Sequence, residues 1–185
     1  MGRAAPRQRS GAAAREMNVK LGYLTMEGRG AAGLILGGVA DRLRNDGIRP
    51  SGVVQSAAAK PGQHPCETAL RILPDGPRLV INQNLGPGSR GCRLDAGALE
   101  LAVAEVSAGF AGADVLIVNK FGKQETVGRG FCSLIVEALD RDIPVVIGVN
   151  RLNLPAFLAF AGDLAEQLVP EESGIIRWLR QVLSR

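Results

Sequence analysis

The chain has one histidine, His64, and three cysteines, Cys66, Cys92 and Cys132, odd in number and widely spaced with no Cys-x-x-Cys pair. Neither a zinc framework nor a set of disulfides is signalled. His64 lies two residues before Cys66, but ligand spacing identifies no further partners, and a loop histidine near a half-buried thiol accounts for the pair as well. No metal site is assigned. No apolar run approaches the ~20 residues of a membrane-spanning helix. The N-terminal stretch lacks the apolar segment of a secretory signal, so the thiols read as reduced and the chain as cytoplasmic.

Acidic residues are missing from the first fifteen positions, which hold Arg3, Arg7, Arg9 and Arg15. Without those four of the 22 basic residues, 18 remain against 18 acidic ones. The net charge of +4 and the pI of about 9.3 therefore belong to the tail. They do not indicate a nucleic-acid-binding domain. Residues 1–17, rich in Ala, Arg, Gly and Ser, read as a disordered basic leader. Residues 18–185 are long enough for one domain with a real core.

What is present alternates between strand and helix patterns. Val19–Thr25 reads as a first strand, and Leu36, Val39, Ala40 and Leu43 mark the apolar face of a helix capped near Gly47. Gly52–Gln55 is a second short strand. Ala69–Leu73 and Arg78–Asn82 flank Pro-Asp-Gly-Pro and read as a β-hairpin. A helix starts after Asp95, a good N-cap, with Leu99, Ala102, Val103 and Val106 inward. Val115–Val118 is an uninterrupted apolar run, the mark of a parallel strand buried on both faces. A helix over 129–140, a strand over 143–149, a helix over 154–168 and a last helix over 171–183 with Trp178 at its edge complete the chain. This alternation predicts an α/β fold, a doubly wound and mostly parallel sheet with helices on both faces and a small hairpin insertion.

Two loops concentrate the chemistry. After the first strand, Gly28, Gly30 and Gly33 stand in both a GxGxxG and a G-x-x-x-x-G register. The residues after Gly33 are Leu34 and Ile35, where a P-loop has the lysine that reaches phosphates and the hydroxyl that holds Mg²⁺. Backbone N–H groups at the helix start still favour an anion, with Arg29 adding charge, although a tight turn explains the glycines equally. After the buried strand comes Asn119–Glu125, NKFGKQE, placed where open α/β sheets bind ligands. Its amide, lysines and carboxylate, Asn119, Lys120, Lys123 and Glu125, are candidate ligand contacts, although an ordinary exposed loop is polar for solvation alone. A third group, Arg90, Cys92 and Arg93, precedes a helix start, a location that can lower a thiol pKa and attract an anion, although a loop with solvated arginines is the commoner reading.

From Leu21 to about Leu168 these motifs resemble, in the same order, the P-loop nucleoside-triphosphatase family first described from thermophiles. GRGAAGLI stands at that family's Walker A loop, RGCRLDAGALE at its glycine-containing segment before a helix, and NKFGKQE at its Asp-Glu-Ile-Gly-Lys-Met-Glu after the Walker B strand. Gly122, Lys123 and Glu125 match, while Asn119 and Lys120 replace the two acids. The pattern is closer still to a bacterial family of uncharacterised proteins encoded near molybdenum-transport genes, with GCRLD and NKFGKQE as signature stretches.

The resemblance implies a P-loop-NTPase-like domain with degenerate Walker A and Walker B motifs. Those acids would hold Mg²⁺ and orient water, so Mg²⁺ is not expected and ordinary Mg-dependent hydrolysis of nucleoside triphosphates is not either. A binding module for a small anion, nucleotide or oxyanion such as molybdate, is expected instead. The alternative is a divergent nucleoside-triphosphatase or phosphoryl-transfer enzyme using Lys120, Lys123 and Glu125, the last as candidate acid/base. Neither nucleic acid nor membrane is expected as partner. A protein partner is the third possibility.

Overall fold

The computed structural model describes residues 20–26, 30–56, 69–83 and 93–184. Among these the elements run β1 (Leu21–Thr25), α1 (Ala31–Asn45), β2 (Pro50–Gln55), β3 (Ala69–Leu73), β4 (Arg78–Val80), β5 (Asn82–Gln83), β6 (Arg93–Leu94) and α2 (Ala96–Ala108). They continue with β7 (Val115–Phe121), α3 (Cys132–Asp140), β8 (Val145–Val149), α4 (Leu154–Ala161), β9 (Ala165–Gln167) and α5 (Glu172–Leu183). The basic leader lies outside the described residues.

One seven-stranded sheet has the order β4-β3-β2-β7-β8-β1-β9, and β5 pairs with β6 in a separate two-stranded ribbon. The pairs from β2 through β7, β8 and β1 to β9 are all parallel, and β3 and β4 extend the sheet as an antiparallel hairpin. This is the α/β, doubly wound, mostly parallel architecture expected. The strands alternate as buried strands must, with successive side chains on opposite faces. Val115 and Ile117 of β7 pack with α1 and α5, whereas Leu116 and Val118 face the layer of α2, α3 and α4. All four are fully buried. Arg49 N–H donates to the Asp114 carboxylate at 2.7 Å, and Asp114 N–H returns to the Arg49 carbonyl at 3.0 Å, so the starts of β2 and β7 are tied together.

Asp95 caps α2 by accepting from Ala98 N–H at 3.1 Å, as its position before an apolar-periodic stretch predicts. Two expectations need correction. The helix expected over 154–168 ends at Ala161, because Gly162 takes a positive φ of 55°. A short 3₁₀ turn, Gly162–Leu164, then delivers the chain into β9, which pairs with β1. Trp178 is buried rather than at the edge of its helix, its indole N–H donating to Glu166 at 2.9 Å. Burying that N–H requires a partner, and the carboxylate supplies one.

Gly52 sets the spacing at the centre of the sheet. Its φ is +111°, and a Cβ there would strike the backbone carbonyl of Ile117 on β7. Only glycine combines that left-handed backbone with so close an approach.

Candidate functional site

All five parallel strands present their carboxyl ends at one edge, where ligands of open α/β sheets bind. β1 and β7 are not neighbours, since β8 lies between them. Helix α1 closes the gap by crossing over their ends. Its residue Gly33 packs against the Asn119 carboxamide at the end of β7, and Ala32 packs over Gly148 at the end of β8. The α1 start and the Asn119–Glu125 loop thus meet at the same edge. Gly28 and Arg29 lie outside the described residues.

Gly30 is the N-cap of α1, in the left-handed region at φ 82°. No side chain caps the helix and no acid occupies its first turn. The first-turn N–H groups of a 15-residue helix therefore point out of the edge without an intrahelical partner, which makes the region attractive to negative charge. Two carboxamides border this turn. A Cβ at position 33 would come within 2.7 Å of the Gln55 side chain and 3.1 Å of Asn119 Nδ2. A Cβ at Gly30 would lie 3.3 Å from the same Gln55 carboxamide. No motif of the sequence reaches Gln55. The available signal was its place as the polar residue closing the apolar run of β2, as Asn119 closes that of β7.

Beyond Asn119 the strand is irregular. The Asn119–Lys120 peptide is cis, and the pairing with β8 shifts between Asn119 and Phe121. Lys120 and Lys123 are exposed, and neither has an ion-pair partner among the described residues. Phe121 turns inward to stack edge-on against Phe157, their centroids 5.3 Å apart. Its carbonyl accepts from the Asn153 side chain at 3.0 Å, linking the loop to the start of α4.

Glu125, the candidate acid/base of the enzyme alternative, is buried. It is 4% exposed. One carboxylate oxygen accepts from Gly122 N–H at 2.8 Å and the other from Phe131 N–H at 3.1 Å. The carboxylate thus holds the loop's first turn and the residue preceding α3 together, and its burial keeps it from facing solvent. Its main-chain carbonyl accepts from the Cys132 thiol at 3.3 Å. Burial, with added repulsion from Glu125, pushes the Cys132 thiol up to about 11. At neutral pH it is a protonated, inert thiol. Iodoacetamide is expected to leave Cys132 unmodified in the native protein and to label it once the chain is unfolded in denaturant; labelling at the rate of a free thiol in the native state would refute this.

Of the third group, Arg90 and Cys92 lie outside the described residues, and Arg93 enters β6 opposite Gln83. His64 and Cys66 lie outside as well. Among the described residues no three His, Cys, Asp or Glu side chains cluster as a metal site would require. Nor is any helix long and apolar enough to cross a membrane. Beside the Glu125 loop an open cleft of about 470 Å³ is lined by Gly97, Glu100, Gln124, Arg129 and Ser133, with Glu100 accepting from Gly130 N–H at 3.2 Å. A roomier groove of about 990 Å³ lies between α1 and α5, lined by Arg42, Glu172, Arg177 and Arg180. Two of its arginines are already spent on Asp46, whose carboxyl is held below its usual range chiefly by the Arg180 hydrogen bond.

The chain is similar to the molybdenum import ATP-binding protein ModC 2 of Bradyrhizobium diazoefficiens, with 34% identity over 154 residues. That match covers 82% of this chain but only 17% of the relative's length. No solved structure matches. A family model described as "Protein of unknown function (DUF2478)" matches residues 21–178, from the first strand of the sheet into its last helix. The chain belongs to that family.

Proposed function

We propose that the chain is a binding module for a nucleotide or oxyanion, of degenerate P-loop type, that serves molybdate uptake without ordinary Mg-dependent hydrolysis of nucleoside triphosphates. The observation that carries this is the composition of the carboxyl edge. An uncapped helix start meets two carboxamides there, and two exposed lysines follow Asn119 in the adjoining loop, while the one carboxylate of that loop is buried on backbone N–H groups. Donors and positive charge suit an anion. Mg²⁺ needs free oxygen ligands, usually carboxylates, and none of the loop's is free to serve. Glu125 then acts as a positioning residue that holds Lys120 and Lys123 at the edge, rather than as an acid/base. The molybdate connection is drawn from the relative's role in molybdenum import. The cytoplasmic placement read from the sequence belongs to the same proposal.

Calorimetric titration with phosphate, molybdate, ADP and ATP, first in EDTA and then with Mg²⁺, tests it. Binding in EDTA is expected, with Lys120→Ala and Lys123→Ala each weakening it by about tenfold or more, the scale of one charge-assisted contact. Molybdate binding without ATP binding would mark an oxyanion module. ATP binding that appears only with Mg²⁺, or ATP turnover near the common enzyme rate of about 1 s⁻¹ or more that Lys120→Ala abolishes, would overturn the proposal in favour of an enzyme.

A further inference from the structure

Given an anion at this edge, as proposed above, we infer that Gln55 is a specificity-determining residue that makes the site take its oxyanion without a metal ion. Gln55 ends β2, two strands beyond β8 from β1 and outside every motif of the sequence. The backbone nevertheless brings it to the start of α1. Its carboxamide lies against Gly30, and both its Cβ and its Oε1 lie against Gly33. A side chain at position 33 would displace Gln55 and one at position 30 would crowd its carboxamide, so the two glycines keep a place for it. From the other side Asn119 reaches the same Gly33. Gln55 is partly buried, and its amide has no hydrogen-bond partner among the described residues.

The chemistry follows from the charge type. A carboxamide offers two N–H donors and one carbonyl acceptor and carries no charge. Beside outward-facing helix N–H groups it adds donors for the oxygens of a tetrahedral anion. A carboxylate of the same shape would repel that anion, and would tolerate it only with a cation bridging the two. Gln55 and Asn119 bracket the turn as neutral groups, so no bridging cation is needed.

The test is calorimetric titration of the full chain with sodium molybdate and with inorganic phosphate, comparing wild type, Gln55→Glu and Gln55→Met. Circular dichroism checks folding in each case. For Gln55→Glu, affinity in EDTA is expected to fall by about tenfold or more, the scale of one charge-assisted contact, and to recover in part when Mg²⁺ is added. Wild type should show no such Mg²⁺ response. Gln55→Met keeps the length of the side chain without its polar atoms, and its affinity should fall without any recovery in Mg²⁺. Should Gln55→Glu fail to fold, the methionine variant carries the test. Wild-type binding matched by both variants would overturn the role of Gln55 and leave the anion site standing. A loss in Gln55→Met without the metal response in a folded Gln55→Glu would also overturn it, reducing Gln55 to packing. No binding of either anion by wild type would overturn both.

Discussion

Glu125→Ala is expected to lower the unfolding free energy by about 2–6 kcal/mol, from two stranded N–H groups at roughly 1–3 kcal/mol each. The partners are Gly122 and Phe131, and Phe131 is itself 1% exposed, so water cannot readily replace the lost acceptor. Against a total stability of about 5–15 kcal/mol for an ordinary domain, that is a large share. Glu125→Gln should fall between: its carbonyl keeps one N–H, while its NH₂ faces the other donor. Urea unfolding followed by circular dichroism measures both. The same variants should bind anions more weakly at temperatures where they remain folded, because the turn carrying Lys123 loses its anchor. Full stability in Glu125→Ala would show that the carboxylate does not hold the loop.

Gly52→Ala is expected to cost more than about 3 kcal/mol, or to prevent folding. A left-handed backbone penalises an L-residue by roughly 1–2 kcal/mol before any contact is counted. To this is added the collision of Cβ with the Ile117 carbonyl, a backbone atom of the adjacent strand that cannot turn away. Relief would require opening the β2–β7 pairing, in which Gly52 stands opposite Ile117. Gly37→Ala is the control. Nothing lies within 4 Å of its Cβ position, and it sits inside α1. Alanine there should stabilise by about 0.5–1 kcal/mol through helix propensity. Thermal melts of the pair should move in opposite directions, and a Gly52→Ala melt equal to wild type would contradict the tight approach.

Much of this fold was legible because its signals are local. The run Val115–Val118, the cap at Asp95 and the periodic Ile175, Ile176, Leu179 and Val182 each announce their element within a few residues. Strand β9 was not, because Ala165, Glu166 and Gln167 have no strand preference of their own. Their pairing with Leu21–Tyr23 is imposed from across the sheet. The candidate site divides in the same way. Asn119, Lys120 and Lys123 could be read from the abrupt turn to polarity after an apolar strand. The burial of Glu125 could not, since its acceptors' partners arise from how the following turn closes, with Phe131 six residues away. Gln55 reaches the α1 start only through the crossing of α1 over the strand ends, which no local pattern encodes.

The place of β1 in the sheet also orders events during synthesis. Both of its neighbours, β8 and β9, come from the far end of the chain, with Leu21 standing opposite Val145 and Ala165. The antiparallel β2–β3–β4 portion can zip locally, whereas β1 has no hydrogen-bonded neighbour until residues beyond 145 have been made. Such distant pairings carry a large loop-closure cost and slow folding. On a ribosome, β1, made before every other described strand, is therefore among the last to find its place, and the start of α1 is completed with it.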